Sequence, residues 1–143
     1  MLLAQAGLSQ AKKVGNVYVA AMCLNCLGQA AGAGGNVVEA QNYHRQAVRM
    51  AWETGQISLV LDNLIGLAEL ELKGEQIQSA GELLAIAIHH PSTCAHERAR
   101  AVDLFSQLES RLPPDAIACI KEYGQAEKLE VVVEKILTII PGG

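Results

Sequence analysis

The densest group of side chains that could perform chemistry lies between residues 89 and 96. It comprises His89, His90, Cys94 and His96, and imidazole and thiolate groups are preferred zinc ligands. A small metal-binding protein or enzyme built on this cluster is therefore one hypothesis. The spacing disfavours it, because adjacent histidines, and residues two apart on a helix, point in different directions. The competing interpretation is structural, since a histidine at a helix C-terminus can hydrogen-bond the last carbonyls and interact with the helix dipole. We favour this interpretation and predict no metal.

A second candidate is the pair Cys23 and Cys26, which forms a single CxxC motif. Redox-active cysteines of this type lie at a helix N-terminus, and zinc ribbons need a second CxxC pair. Here the motif falls inside a predicted helix and has no second copy, so both cysteines, like Cys119, are expected to pack as small apolar residues. The N-terminus lacks the pattern of a secretory signal, which favours reduced thiols and a cytoplasmic location.

Two further patterns bear on catalysis. Residues 32–36 are glycine-rich and precede a helix, but they lack the preceding strand and the Gly-Lys-Ser/Thr ending of a phosphate-binding loop. Carboxylates occur in pairs without a neighbouring nucleophile or an orienting base, at Glu69 and Glu71 and at Glu127 and Glu130. We interpret them as solvated faces, and His44 with Arg45 as an exposed pair on a helix. The sequence therefore predicts neither an enzyme nor a cofactor.

The composition describes the scaffold that must position these side chains. Half of the 143 residues are hydrophobic but only 3% are aromatic, so the core must consist of aliphatic residues and alanine. No apolar run is long enough to cross a membrane. The net charge of −4 argues against a nucleic-acid partner. Residues 128–137 are too apolar to be the recognition helix of a helix-turn-helix, which favours a C-terminal capping hairpin instead.

The sequence matches itself at a 40-residue offset, which indicates stacked supersecondary units. The identical pairs within the first 90 residues are Ala11 and Ala51, Gly15 and Gly55, Leu24 and Leu64, Leu27 and Leu67, Gly34 and Gly74, Ala40 and Ala80, and Ala47 and Ala87. Apolar residues recur at helical spacing between the glycines, so the chain is predicted to be all-α. The predicted helices are 2–13, 17–33, 36–53, 57–73, 76–89, 93–111, 114–123 and 127–139.

These spacings resemble those of tetratricopeptide repeats. Leu24, Leu27-Gly28, Ala40 and Ala47 stand at the intervals of that family's signature, and the next unit repeats them. The 40-residue period is longer than the usual 34-residue period of the family, and the aromatic residues and terminal proline of the signature are missing. The longer period is similar to that of helical repeats at the C-terminal ends of large bacterial signalling ATPases and transcriptional activators. The resemblance implies an α-solenoid of antiparallel helix pairs, closed by a C-terminal helical hairpin.

The repeat also predicts the domain organisation and the binding face. We expect a single domain over residues 1–143, comprising a partial repeat (1–14), two repeats (17–54 and 57–90) and a degenerate repeat with capping helices (92–143). The resemblance implies a non-enzymatic scaffold in signalling or transcription regulation, which binds a protein or peptide on the first helix of each pair. The inner-face residues would be Met22, Asn25, Gln29, Asp62, Ile65 and Glu69. None is basic, so no clamp for a terminal carboxylate is expected.

The register also makes a prediction about assembly. Residues 2–13 align with residues 42–53, which form the second helix of a repeat, so the first helix of that pair is missing. Leu2, Leu3 and Ala6 would then form an exposed apolar strip. Because such strips usually mark interfaces, we predict self-association through the N-terminal helix as a two-fold dimer.

Overall fold

The computed structural model describes residues 2–13 and 15–138, with side chains from residue 5 onward. This part of the chain contains eight helices and no strand, which confirms the predicted all-α class. Helix boundaries agree with the sequence-based prediction to within three residues; the predicted end of the last helix, residue 139, lies outside the described range. The helices are α1 (Leu2–Lys13), α2 (Val17–Ala33), α3 (Val37–Glu53), α4 (Ile57–Lys73), α5 (Ile77–His89), α6 (Ala95–Glu109), α7 (Pro114–Ala126) and α8 (Leu129–Thr138).

The first four turns between helices share one geometry and stand at equal spacing along the chain. Each contains a residue with positive φ, namely Gly15 (71°), Gly35 (84°), Gly55 (73°) and Glu75 (65°). The next residue donates its N–H to the carbonyl five positions earlier, from Asn16 to Ala11, Asn36 to Ala31, Gln56 to Ala51 and Gln76 to Glu71, at 2.8–2.9 Å. This is the Schellman cap, which satisfies the last carbonyls of a helix. Gly34 and Gly74, which directly precede the left-handed residues Gly35 and Glu75, have negative φ.

Each of the first five helices packs against the next one along the chain. Contacts between α2 and α4, and between α4 and α6, join alternate helices into a row. The four alanines of the repeat signature, Ala40, Ala47, Ala80 and Ala87, are completely buried. Small residues at these points allow close approach of the helices.

The last two helices pack over α5 and α3. A Cβ atom on Gly124 of α7 would lie 2.5 Å from Ala85 Cβ of α5, so the two helices cross almost backbone to backbone. A short link joins α7 to α8, whose main contacts fall on α3. Its buried side chains are Leu129, Val132, Val133 and Ile136. Helix α8 therefore folds back over an earlier helix.

Cys26 and Cys119 are exposed rather than packed in the core, because they lie on the solvent faces of α2 and α7; Cys23 is half-buried. Ala6 is exposed as predicted, whereas the side chains of Leu2 and Leu3 lie outside the described residues. Across the described residues, no helix has the length and apolarity needed to span a lipid bilayer.

Candidate functional site

The predicted binding residues of α2 lie on its accessible face. Met22 is 43% exposed and Gln29 is also exposed, while Asn25 is half-buried between them. The Gln29 side-chain amide lies 3.4 Å from Asn25 Oδ1, a distance at the long end of the hydrogen-bond range. This face also carries the exposed side chains of Tyr18 and Val19. It therefore combines apolar surface at one end with amide groups at the other.

The predicted residues of α4 do not share one environment. Asp62 and Glu69 are half-buried and remain accessible, but Ile65 has no exposed surface. Helix α4 contacts α2, α3, α5 and α6, so the centre of its predicted stripe is covered and only its edges are accessible. The structure therefore corrects the placement of Ile65 on the binding face, because its side chain belongs to the core.

His44 of α3 is also buried, with 1% of its surface exposed, which corrects the expectation of an exposed His44–Arg45 pair. Its Nδ1 atom lies 2.8 Å from the Oδ1 atom of Asn63, and the Asn63 amide donates to the Leu59 carbonyl at 2.8 Å. Because the Asn63 amide nitrogen already donates to a carbonyl, the Asn63 Oδ1 atom must accept a hydrogen bond from His44 Nδ1, which therefore carries a proton. Neutral His44 therefore has its lone pair on Nε2.

Two glycines make room for this imidazole. A Cβ atom on Gly28 of α2 would lie 2.7 Å from His44 Nε2, and one on Gly66 of α4 would lie 2.5 Å from Cε1. The ring thus fits between α2 and α4 and reaches a cavity of about 220 Å³ that Gln29 and Glu69 also line. The sequence offered only a partial signal for this arrangement, because Gly28 belongs to the repeat signature but Gly66 aligns with a cysteine in the preceding unit.

Charged residues of α6 complete the face. Arg100 Nη2 lies 3.1 Å from Glu69 Oε1, and Arg100 Nη1 lies 3.5 Å from Glu97 Oε2. Burial, reinforced by the negative charge of Glu97 and opposed by Arg100 and His96, raises the pKa of Asp62 to about 6. Glu97 and Arg100 could not be identified from the repeat, because the 40-residue register aligns them with the apolar residues Ile57 and Val60.

Burial lowers the pKa of His44, although the hydrogen bond to Asn63 partly opposes this effect. The imidazole is therefore neutral at pH 7, and its Nε2 atom is available only as a hydrogen-bond acceptor. Gln29, Glu69 and His44 together offer several acceptors in one cavity. Lys73 and the Gln29 amide supply donors in the same cavity, so the site can bind a group that both donates and accepts hydrogen bonds, such as a peptide unit.

The histidine and cysteine cluster at residues 89–96 is dispersed around the turn between α5 and α6. His89, Cys94 and His96 are exposed, and His90 Nδ1 accepts a hydrogen bond of 3.0 Å from the Ser92 N–H. Within the described part of the chain, no three His, Cys, Asp or Glu side chains are grouped so as to hold a metal ion. The geometry therefore gives no support to the metal-binding alternative.

Other residues hold the carbonyls at the end of α5. Thr93 Oγ1 donates to the Ala87 carbonyl at 2.6 Å, and Arg98 donates to the carbonyls of Ile88 and His90 at 3.0 and 2.9 Å. His90 is the C-cap residue of α5 through its backbone N–H, which donates to the Ile86 carbonyl, but the side chains that hold the last carbonyls are those of Thr93 and Arg98 rather than of a histidine. A guanidinium is well suited to this role because it carries several donors and a charge that favours a helix C-terminus.

Comparison with known proteins identifies no relative: no family model, curated protein or solved structure matches the chain. The fold and the site define the protein only by class. Its described part is all-helical, and α2, α4 and α6 carry a mixed apolar, amide and charged face.

Proposed function

We propose that this chain is a non-enzymatic helical-repeat module that binds a segment of another protein on the face formed by α2, α4 and α6. On this proposal the helices form antiparallel pairs stacked in a tetratricopeptide-like solenoid within a single domain. The equal spacing of the turns and the contacts between alternate helices support it. The observation that carries it is the continuity of the face, in which Gln29 and Glu69 line one cavity and Glu69 pairs with Arg100.

The side chains of this face indicate which partner segment would fit. Tyr18 and Met22 offer exposed apolar surface on α2, which suits a large apolar side chain of the partner. Further along, three carboxylates outnumber the two cations Arg100 and Lys73, so a basic side chain is favoured over an acidic one; the carboxylates are Asp62, Glu69 and Glu97. We therefore propose a partner segment with an apolar residue near a lysine or arginine.

The wider role rests on the resemblance of the repeats. Similar repeats stand in bacterial signalling and transcription-regulatory proteins, so we propose that the module serves as a sensor or scaffold in a cytoplasmic regulatory protein. None of the six positions predicted for the inner face is basic, so the proposal does not include a clamp for a terminal carboxylate. The module is also proposed to act on protein rather than on nucleic acid or membrane.

The test is selection from a phage-displayed library of random peptides, followed by calorimetric titration of the enriched peptides. We expect enrichment of peptides that combine an apolar residue with a basic one. Met22→Asp should weaken their binding at least tenfold, whereas Val38→Asp should not, because Val38 is at least as accessible but lies at the start of α3, outside the face. Asp62→Asn should weaken only peptides with the basic residue. No enrichment, or equal binding by the Met22 and Val38 variants, would contradict the proposal.

A further inference from the structure

A second cavity lies between α1, α3 and α8 and shares no residue with the α2–α4–α6 face. Its volume is about 430 Å³, which falls within the usual size range of small-molecule sites. Helix α3 supplies most of its lining, while Lys12 comes from α1 and Ile136 and Leu137 come from α8. Three elements distant in sequence therefore meet at this cavity.

The cavity is strongly basic in a protein whose net charge is −4. Lys12, Arg45 and Arg49 line it, and in the described part of the chain none of them forms an ion pair within 4 Å. Arg45 and Arg49 are four residues apart, so both project from one side of α3. Glu71 feels the charge of Arg45 but is not part of the lining; burial raises its pKa, and Ser79 and Arg45 oppose that rise. Positive charge thus predominates at the cavity.

The rest of the lining is apolar or uncharged. Met50, Ile136 and Leu137 provide an apolar wall, and Asn42 and Gln46 provide amide groups. The Oδ1 atom of Asn42 is shielded from solvent and has no hydrogen-bond partner among the described residues. An unsatisfied buried acceptor is unfavourable, so a hydroxyl or N–H group entering the cavity would gain a hydrogen bond there.

We propose that this cavity binds a small amphiphilic anion, a molecule in which a carboxylate or phosphate group is joined to an apolar body. The guanidinium groups of Arg45 and Arg49, with Lys12, would hold the anionic group, since guanidinium matches carboxylate and phosphate geometry. The apolar body would lie against Met50, Ile136 and Leu137. Because α8 forms part of the wall, the bound anion also links α8 to α3 and stabilises that contact. This proposal is independent of the one for peptide binding.

The experiment titrates the full chain with octanoate and with octyl phosphate, below their micelle concentrations, and records calorimetric heats and amide chemical shifts. We expect saturable binding of at least one of the two, with shifts concentrated in α3 and α8. The preferred head group then distinguishes a carboxylate from a phosphate ligand. Four control compounds each lack one part of the proposed ligand and should bind at least tenfold more weakly. Acetate and inorganic phosphate lack the apolar body, and octanol and octylammonium lack the anionic group.

Matched variants separate the cavity from general surface charge. Arg49→Gln and Lys12→Gln should each weaken binding of the preferred anion at least fivefold, whereas Lys13→Gln, an exposed neighbour outside the cavity, should leave it unchanged. Thermal melts followed by circular dichroism check that each variant is folded. Equal binding of octanol or of the head groups alone would overturn the proposal. So would absence of binding to the wild-type chain, or equal losses in the Lys12 and Lys13 variants.

Discussion

The imidazole of His44 sets how closely α2 and α4 approach one another. A Cβ atom on Gly28 or on Gly66 would fall against the same Nε2–Cε1 edge of the ring, so no side chain larger than glycine fits at either position while the ring is present. The hydrogen bond from Nδ1 to Asn63 fixes the orientation of the ring. Three positions on three helices therefore form one packing unit.

This packing unit predicts an effect opposite to normal helix propensity. Alanine in place of glycine usually stabilises a helix interior by about 0.5–1 kcal/mol. We expect Gly66→Ala instead to lower the free energy of unfolding by about 1–3 kcal/mol, because the new Cβ overlaps the imidazole. In a His44→Ala background the same substitution should be neutral or stabilising, which urea unfolding of the four proteins in the cycle measures.

Gly32→Ala is the control for this cycle. Its Cβ would meet mainly the flexible end of Leu70, at 3.0 Å, so it should cost little in either background. An equal effect of Gly66→Ala with and without His44 would contradict the role of the imidazole as a spacer.

Asp62 makes stability depend on pH in a definite direction. Its pKa in the folded protein is about 6, above the ordinary value of 3.8, so the folded state binds the proton more tightly than the unfolded state does. Stability from this group is therefore present at low pH and is lost as the pH rises from about 4 to about 6. At pH 7, Asp62→Asn should raise the free energy of unfolding by about 1–2 kcal/mol.

The measurement is urea unfolding of both proteins across that pH range. The advantage of the Asp62→Asn protein should shrink as the pH approaches about 4, where the wild-type carboxyl is protonated in the folded state and half-protonated in the unfolded state. Asp103→Asn, the same substitution at an exposed position on α6, serves as the control. A constant difference between Asp62→Asn and wild type at all pH values would refute the assignment.

At the residue level, burial could be predicted from the sequence only where its cause is local. Alanines at helix crossings were predictable because their spacing repeats and only small side chains fit there. His44 and Ile65 were not, because their burial depends on neighbouring helices that one helix's own sequence does not reveal. Five of the six binding residues proposed from sequence spacing are accessible. The extension of the binding face onto α6 depends on tertiary packing, which the spacing does not reveal.

At the scale of elements, the turns between helices are the most regular feature of the chain. Three of the four Schellman caps place glycine at the left-handed position, and the fourth places Glu75 there with φ of 65°. The helix boundaries were predictable because glycine and periodic apolar residues are local signals. The packing of α7 and α8 was not, since it depends on which apolar surfaces α3 and α5 leave uncovered.

The left-handed conformation of Glu75 predicts a stabilising substitution. This conformation is unfavourable for residues with a Cβ atom, so Glu75→Gly should raise the free energy of unfolding by about 0.5–1 kcal/mol. The ion pair with Arg111 that is lost is largely exposed and contributes little. Glu75→Gln removes the charge but keeps the strained backbone, so it should not stabilise. Equal melting temperatures for the two variants would disprove the backbone explanation.

For the whole molecule, α8 acts as a cover for α3. The four buried side chains of α8 pack against α3 and its neighbours. Removing residues 128–143 should therefore expose the apolar surface that α8 covers on those helices. We expect the shortened protein to melt at a lower temperature and to bind the dye ANS more strongly. An unchanged melt with no dye binding would show that α8 contributes nothing to the core.

Self-association is the second prediction at this scale. The 40-residue register places Leu2, Leu3 and Ala6 on one apolar strip of α1, and Ala6, the member whose side chain is described, is exposed. We expect light scattering over a concentration series to detect a dimer, and Leu3→Glu to abolish it. A wild-type chain that stays monomeric at high concentration would contradict this register at the N-terminus.

The recurring Schellman caps have a consequence for how such a chain evolves. Because Gly15, Gly35, Gly55 and Glu75 close their helices in the same way, alternate turns present the same geometry to the helix that follows. A gene duplication that begins and ends at such turns therefore joins helix ends that already match. Descendants of this sequence are expected to gain or lose length in steps of one two-helix unit, with the junctions at these four turns.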